Sequence, residues 1–300
     1  MIYIVIAVFN RLSYTKACLY SLLKQSFSGY KIIVVDHGST DGTTLVIRNE
    51  FPEVILLNES GSLWWAGATN RGIQTALDIS ASDEDFILTL NNDLVVEPGY
   101  LFELLRVYRA NKPAIVGSLS VNISNTEKID FAGLKWNSIA AKFKKNAEVN
   151  IPYSELKKKY EWLSSDLLPG RGTLFPIRTF RDFGLFDEKN FPHYAADEDF
   201  ALICKKNGYK LLIAVNACVK SYVEETGTNV RHSRLNLKKF LNSLFSIKSA
   251  NNLSIRYKWA KKNSPLPYVY FMFDASRIFA SYFRSLIKLK GQKKATSVLK

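Results

Sequence analysis

The first 121 residues alternate between short apolar runs and segments with helical periodicity. Helical segments separate five apolar runs, which span residues 2–8, 31–35, 54–57, 86–90 and 114–121. Such alternation is typical of βαβ units, in which helices connect the strands of a mainly parallel sheet. We therefore predict an α/β fold with a Rossmann-like central sheet flanked by helices. No glycine-rich dinucleotide fingerprint follows the first run, and no P-loop motif occurs.

Positive charge is concentrated at one end of the chain. The 300 residues carry a net charge of +14, but residues 231–300 hold sixteen Lys or Arg and one acid, so residues 1–230 are nearly neutral. We predict a main domain over 1–230 and a basic, aromatic, helical extension over 231–300. A basic extension indicates an anionic partner, either lipid headgroups or nucleic acid.

The extension contains an aromatic helical stretch at 265–289, in which Asp274, Arg277 and Arg284 interrupt the apolar residues. These charges disfavour a bilayer span and favour an interfacial amphipathic helix. The alternative is a helix that packs its aromatic side chains on the main domain.

Three cysteines indicate a reducing compartment without a disulfide framework. The apolar start of the chain is interpreted as a first strand rather than a signal peptide.

Polar residues follow two of the predicted strands at the point where each strand ends. Asn91, Asn92 and Asp93 follow the run 86–90, and Asp36 closes the run 31–35. Ligands of open α/β sheets bind beyond the carboxyl ends of the strands. A carboxylate there can hold Mg²⁺ or Mn²⁺ while substrate phosphates supply other ligands. Alternatively, Asp93 caps the next helix, and we favour such a cap for Asp41.

Two further segments have residues suited to a sugar-nucleotide site. The run 61–72 combines small residues with Trp64, Trp65 and Arg71, which suit close backbone approach, ring stacking and phosphate binding. The alternative is a helix start with tryptophans in the core. Asp197, Glu198 and Asp199 begin a predicted helix, where the dipole favours acids. One of them could instead serve as a general base.

Together these motifs resemble the family-2 glycosyltransferases with a GT-A fold. The resemblance covers about residues 2–215 and rests on four segments, at 9–11, 34–43, 91–93 and 196–200. The run 61–72 resembles most closely the bacterial rhamnosyltransferase-like branch. His37, Asn91 and Ala196 depart from the residues most common in the family.

The resemblance implies an inverting transfer from a UDP- or dTDP-linked sugar to a glycan or lipid-linked acceptor. Asp197 would be the catalytic base and Asp93 would hold the divalent cation, Mg²⁺ or Mn²⁺. Glu198, Asp199 and His193 would contact the acceptor or support the base, and His193 or His232 could add a metal ligand. The residues expected to bind the nucleotide sugar are Phe9, Asn10, Asp36, Trp65, Asn70, Asn91, Asn92, Arg171 and Gly172.

The same resemblance assigns 1–122 to a nucleotide-binding half and 123–230 to an acceptor-binding half. It implies cell-surface polysaccharide synthesis in the cytoplasm, at the inner membrane's cytoplasmic face. The acidic, tryptophan-lined site argues against nucleic acid as the main substrate. A non-catalytic sugar-nucleotide-binding protein on the same fold is the alternative, motivated by Asn91 and Ala196. A nucleotidyltransferase is disfavoured because its glycine-rich, arginine-containing loop is missing after the first strand.

Overall fold

The computed structural model describes residues 1–61, 63–222 and 236–298. Its strands are β1 (Ile2–Val8), β2 (Tyr30–Asp36), β3 (Ile55–Asn58), β4 (Phe86–Asn91), β5 (Leu94–Val96), β6 (Ala114–Asn122), β7 (Asn125–Phe131), β8 (Leu134–Asn137), β9 (Lys142–Lys145), β10 (Trp162–Ser164), β11 (Thr173–Pro176) and β12 (Lys210–Ser221). The helices are α1 (Leu12–Leu22), α2 (Thr43–Glu50), α3 (Trp64–Ile79), α4 (Tyr100–Asn111), α5 (Tyr153–Lys159), α6 (Ile177–Phe183), α7 (Ala196–Lys206), α8 (Leu237–Ser243), α9 (Leu253–Asn263) and α10 (Pro267–Val298), with a 3-10 turn at Ala147–Asn150.

The first four strands form the parallel half of the sheet, in the order β3-β2-β1-β4. Their continuous apolar character suits strands that are covered by helices on both faces. The register pairs Val8 with Asp36 and Ala7 with Asn91. Both predicted polar strand ends therefore lie at one edge of the sheet, as the sequence indicated.

The other half of the sheet mixes strand directions. β11 lies antiparallel between β4 and β6, while β12 runs parallel to β6. Thr173 of β11 pairs with Thr89 near the carboxyl end of β4. Because β11 is reversed, the turn that precedes it, at residues 169–172, lies at the same edge as the ends of β1, β2 and β4. The predicted α/β architecture is confirmed, with antiparallel strands inserted in its second half.

The chain divides into two compact units. The first comprises Met1–Lys135 and Lys144–Tyr222, and the second Trp136–Phe143 and Val223–Lys300. The predicted boundary at 230/231 falls outside the described residues. The sequence did not indicate that residues 136–143 join the C-terminal unit.

Hydrogen bonds and helix packing hold the C-terminal unit together. The indole nitrogens of Trp136 and Trp259 each lie 3.1 Å from Tyr270 Oη, and Arg277 donates to the Ala141 carbonyl at 2.7 Å. The predicted helical character of the extension is present in α8, α9 and α10. No helix in the described ranges has both the length and the apolar character that a bilayer crossing requires.

Candidate active site

The loops after β1 and β2 are tied together by side chains near the strand ends. Asn10 accepts from the Thr40 amide at 2.8 Å, and its own amide donates to Ser39 Oγ at 2.7 Å. Asp41 accepts from the amides of Leu12 and Thr43, at the first positions of α1 and α2. Burial acts to raise the pKa of Asp41, but these hydrogen bonds outweigh it and lower that pKa. The predicted capping role of Asp41 therefore extends to two helices.

Asp36 is fully buried at the end of β2. One carboxylate oxygen accepts from the Ser39 amide at 2.9 Å, and the other accepts from the Thr44 hydroxyl. Each carboxylate oxygen has a further lone pair, so Asp36 could still accept a hydrogen bond from a base or a ribose. Such a contact requires only that the ligand can reach the buried carboxylate. In this structure Asp36 shapes its own turn, and its predicted nucleotide contact stays a prediction.

An aromatic pair lies beside Asp36. Phe9 is 48% exposed and stacks on His37, with ring centroids 5.3 Å apart and the planes inclined by 25°. His37 Nδ1 is buried and has no hydrogen-bond partner. Burial lowers the pKa of His37, although the neighbouring Asp36 acts in the opposite direction. The pair offers a flat, partly exposed aromatic surface at the ends of β1 and β2.

Asp93 is the principal carboxylate at the end of β4, with 4% of its surface exposed. Its Oδ2 lies 3.2 Å from an Arg11 guanidinium nitrogen, whereas its Oδ1 is buried and accepts no hydrogen bond. Burial raises the pKa of Asp93, and the charges of Arg11 and Arg171 counteract that effect. Arg11, next to Asn10, thus connects the loop after β1 to the end of β4.

The surroundings of Asp93 fit a divalent cation that is shared with a phosphate ligand. A buried carboxylate oxygen without a partner is expected to receive a cation or a donor. Mg²⁺ commonly uses one or two carboxylates and takes its remaining ligands from water and substrate phosphates. Among residues 1–61, 63–222 and 236–298, no cluster of three His, Cys, Asp or Glu side chains could hold a metal ion by itself.

Trp65 forms a wall between Asn91 and the turn at 169–172. Its indole nitrogen donates to Asn91 Oδ1 at 3.2 Å, and its ring is stacked on Phe186 with centroids 5.8 Å apart. A Cβ on Gly170 would lie 2.5 Å from Trp65 Cη2. Position 170 must therefore be glycine for the turn to approach the indole this closely.

Asp197, at the beginning of α7, faces the same turn. One carboxylate oxygen accepts a hydrogen bond from the Gly170 amide. Burial raises the pKa of Asp197, while backbone hydrogen bonds and the charge of Arg171 oppose the shift. A carboxylate with a raised pKa and a fixed orientation is suited to general base chemistry near neutral pH.

Arg171 lies between the acidic residues of the site. Burial lowers its pKa, and the charges of Asp130, Asp93 and Asp197 act against that shift. Its guanidinium carbon lies 5.9 Å from the Phe131 ring centroid. The next residue, Gly172, donates to the Thr89 carbonyl of β4 at 2.8 Å. The turn thus anchors a cationic side chain beside Asp93 and Asp197.

Several predicted site residues are engaged elsewhere in the structure. The Asn70 amide accepts from the Phe186 amide and donates to the Phe186 carbonyl and Glu188. The Asn92 amide donates to Thr15 in α1 at 2.9 Å. Both side chains therefore position neighbouring segments of the chain, and their predicted ligand contacts stay predictions.

The remaining predicted residues lie around the start of α7. Asp199 is buried, Glu198 is half-buried, and His193 packs its ring against Trp64 and Tyr194. Asp197 is more exposed than Asp199, and the prediction that only one of them faces an acceptor stays a prediction. His232 and Ser62 lie outside the described residues. The candidate active site is thus defined by Arg11, Trp65, Asn91, Asp93, Gly170, Arg171 and Asp197.

Sequence reasoning did not assign a site role to Arg11, and it expected the run that contains Gly170 only to lie near the donor sugar or the acceptor. Arg11 is adjacent to Asn10 within the segment that carried the resemblance. A positive charge just after a predicted strand could have indicated that Arg11 belongs to the site. Gly170 belongs to the glycine-rich run before β11, but its contacts with Trp65 and Asp197 join residues far apart in sequence.

The fold is similar to that of solved GT-A glycosyltransferases. GalNAc-T7, solved with UDP, GalNAc and Mn²⁺, has a TM-score of 0.58 and 14% identity over 94% of this chain and 57% of its own. The mannosyltransferase PcManGT from Pyrobaculum calidifontis, solved with GDP-Man and Mn²⁺, has a TM-score of 0.55 and 13% identity over 99% and 75%. S. aureus TarS, residues 1–349, has a TM-score of 0.54 and 13% identity over 97% and 91%. Identities this low show the shared fold alone.

Sequence comparison identifies the family. The family model of glycosyl transferase family 2 matches residues 3–163, which is more than half of the 300 residues. The chain belongs to glycosyltransferase family 2, as its motifs predicted. EpsH of Bacillus subtilis (strain 168), named as a candidate glycosyltransferase, is 25% identical over 130 residues, or 42% of this chain. The match spans 35% of EpsH, about a third of that relative's length. The rhamnosyltransferase-like branch stays a prediction.

Proposed function

We propose that this glycosyltransferase moves a sugar, with inversion, from a nucleoside-diphosphate sugar to a hydroxyl of a glycan or lipid-linked saccharide. One juxtaposition carries the proposal. The turn at 169–172 binds Asp197 through the Gly170 amide and places Arg171 within the electrostatic reach of both Asp93 and Asp197. A candidate cation-binding carboxylate and a candidate base therefore lie near the same turn at one edge of the sheet.

Asp197 would remove the proton from the acceptor hydroxyl. The Gly170 amide holds one of its oxygens, which orients the carboxylate, and the other oxygen would take the proton. As the acceptor oxygen forms its bond to the anomeric carbon, the bond from that carbon to the diphosphate oxygen breaks. Attack from the face opposite the leaving group inverts the configuration, and no covalent enzyme intermediate is required.

Asp93, Arg11 and Arg171 would bind the donor diphosphate. A divalent cation held by Asp93 Oδ1 would offset the charge that develops on the leaving diphosphate. The two guanidinium groups suit bidentate hydrogen bonds to phosphate oxygens. Mn²⁺ in two structural relatives supports a divalent cation, although Mg²⁺ and Mn²⁺ are both compatible with an oxygen ligand set.

The nucleoside would lie at the ends of β1 and β2, and the sugar near Trp65. Phe9 and His37 offer a stacking surface beside Asp36, where a uracil or thymine base would fit. The indole of Trp65, fixed by Asn91, would form the wall of the sugar pocket. UDP- and dTDP-linked sugars are therefore the donors that we propose to test first.

We further propose that the acceptor belongs to cell-surface polysaccharide synthesis and that the enzyme works in the cytoplasm, at the inner membrane. The sixteen Lys or Arg of residues 231–300, against one acid, support attraction to anionic lipid headgroups. The site itself combines Asp36, Asp93 and Asp197 with Trp65. Because these carboxylates would repel a polyanion, we do not expect nucleic acid as the substrate.

Release of nucleoside diphosphate tests this function. UDP-glucose, UDP-N-acetylglucosamine, dTDP-rhamnose and GDP-mannose would each be incubated with a bacterial lipid-linked saccharide extract, with Mn²⁺ or with chelator. We expect one donor to be consumed in a metal-dependent reaction that Asp197→Asn slows by about 10²–10⁴-fold. Donor binding without consumption, for every extract tried, would instead support the non-catalytic alternative.

A further inference from the structure

Helix α10 buries one face within the C-terminal unit. The buried residues recur at every fourth position, as one side of a helix requires: Tyr270, Asp274, Ile278 and Tyr282. The Tyr282 ring is stacked on Phe240 of α8, with centroids 4.0 Å apart. Arg256 of α9 holds both carboxylate oxygens of Asp274, at 2.7 and 2.6 Å. This face therefore packs on α8 and α9, and Tyr270 also accepts a hydrogen bond from Trp136.

The opposite face of α10 is apolar and exposed. We call this face the α10 stripe and define it by Tyr268, Val269, Met272, Phe273, Phe283 and Ile287. Tyr268, Met272 and Ile287 are 72%, 65% and 70% exposed. Ser276 and Ala280 occupy the turns between its two ends. At 1.5 Å per residue, the stripe extends for roughly 30 Å along one side of the helix.

An exposed apolar stripe of this length indicates a binding surface. Single exposed apolar residues are ordinary, but contiguous apolar patches mark sites for proteins, ligands or membranes. Apart from Tyr268, whose ring centroid lies 6.3 Å from that of Tyr257 in α9, the stripe lies on the side of α10 that faces away from α8 and α9. Its partner must therefore come from outside these three helices.

The charge of the unit selects the kind of partner. Residues 236–298 contain thirteen Lys or Arg and a single acid, Asp274, which is already paired with Arg256 on the buried face. A second copy of the same unit would bring two strongly positive surfaces together. An anionic bilayer satisfies both features, because headgroups attract the basic residues and the acyl boundary receives the apolar side chains.

We propose that α10 lies in the plane of an anionic membrane, with the α10 stripe inserted at the boundary between headgroups and acyl chains. The inference rests on the proposed function and deepens it by naming the surface that brings the enzyme to a lipid-linked acceptor. The helix would lie on the membrane and not cross it, and its Tyr270–Tyr282 face would remain packed on α8 and α9.

Vesicle flotation of the full-length protein tests the proposal without donor or acceptor. The stripe variant is Tyr268→Ser/Met272→Ser/Phe273→Ser. The control variant, Leu45→Ser/Phe102→Ser, removes apolar residues that are exposed in the N-terminal unit. The vesicles contain phosphatidylcholine alone or with phosphatidylglycerol, and thermal melts verify that each variant is folded.

We expect wild type and control to float with the phosphatidylglycerol vesicles, and the stripe variant to bind them at least about tenfold more weakly. Binding should fall with added salt and be weak on phosphatidylcholine alone. Equal flotation of the folded stripe variant and wild type would overturn the proposal. The proposal would also be overturned if neither protein floated and light scattering showed that wild type is a dimer whereas the stripe variant is a monomer. A failure to find any sugar donor would leave this outcome unaffected, because the assay requires no turnover.

Discussion

Gly172 is a position where both backbone conformation and packing oppose the addition of a single methyl group. Its φ is +90°, and a Cβ there would lie 2.6 Å from Ser118 Oγ and 2.8 Å from Tyr100 Oη. Ser118 donates to the Gly172 carbonyl at 2.6 Å, and its hydroxyl also shares a hydrogen bond with Tyr100 at 2.8 Å. Gly172→Ala would therefore strain the backbone and disrupt a buried hydrogen-bond chain.

The expected cost has two separable parts. A left-handed alanine costs about 1–2 kcal/mol, and overpacking with loss of the hydrogen-bond chain adds about 2–3 kcal/mol. Gly42→Ala is the matched control, because Gly42 has φ +86° and no heavy atom lies within 4 Å of the place that a methyl group would take. It should show the backbone cost alone.

Differential scanning calorimetry of the full chain measures the difference. One kcal/mol shifts Tm by about 2–4 °C in a unit of this size, so Gly172→Ala should melt about 5–10 °C below Gly42→Ala. A Tm within about 2 °C of the control would refute the close packing of the 169–172 turn on β4 and β6.

Four further predictions concern the chemistry and the stability of the site. Asp197→Asn should lower kcat by about 10²–10⁴-fold with donor affinity nearly unchanged, whereas the surface control Asp182→Asn should retain wild-type kcat. Equal kcat values for Asp197→Asn and wild type would show that Asp197 is not the base. Because burial raises the pKa of Asp197 and the base must be ionised, kcat/KM should fall as pH is lowered through a value above the ordinary Asp pKa of about 4. The folded state holds the Asp197 proton more tightly than the unfolded state, so stability should decline as pH rises from the ordinary to the raised pKa. Asp197→Asn should flatten that decline in thermal melts, and an unchanged slope would contradict a raised pKa for Asp197. Gly170→Ala should displace Trp65, whose ring lies 2.5 Å from the new methyl group, and slow transfer about 10- to 100-fold with altered tryptophan fluorescence; an active variant with wild-type fluorescence would argue against the Trp65 wall.

The sequence predicted the parallel half of the fold well because its signals are local. The apolar run at 2–8 corresponds to β1 in full, and the run 86–90 ends one residue before β4 does. The polar residues after these strands then lie at one edge, because parallel strands in register bring their carboxyl ends together. Local pattern also placed Asp197 at the beginning of α7.

The region from 128 to 162 could not be predicted in the same way. Its strands are short and partly exposed, and all four residues of β9 are exposed, so no alternation of apolar residues marks them. The contacts that complete the site are also not local. Arg11 and Asp93 are 82 residues apart, and Trp65 and Asn91 are 26 apart, so their pairing follows only from the folded sheet and loops.

The most direct test of a metal-assisted sugar-nucleotide site is isothermal titration of the purified protein with the four donors, with and without Mn²⁺. Wild type and the exposed-acid control Glu84→Ala should bind one donor in a metal-dependent manner, and Asp93→Ala should lose the metal-dependent component. Donor binding that is equally tight with chelator, or unchanged in Asp93→Ala, would contradict the assignment of Asp93 and with it the proposed metal-assisted transfer.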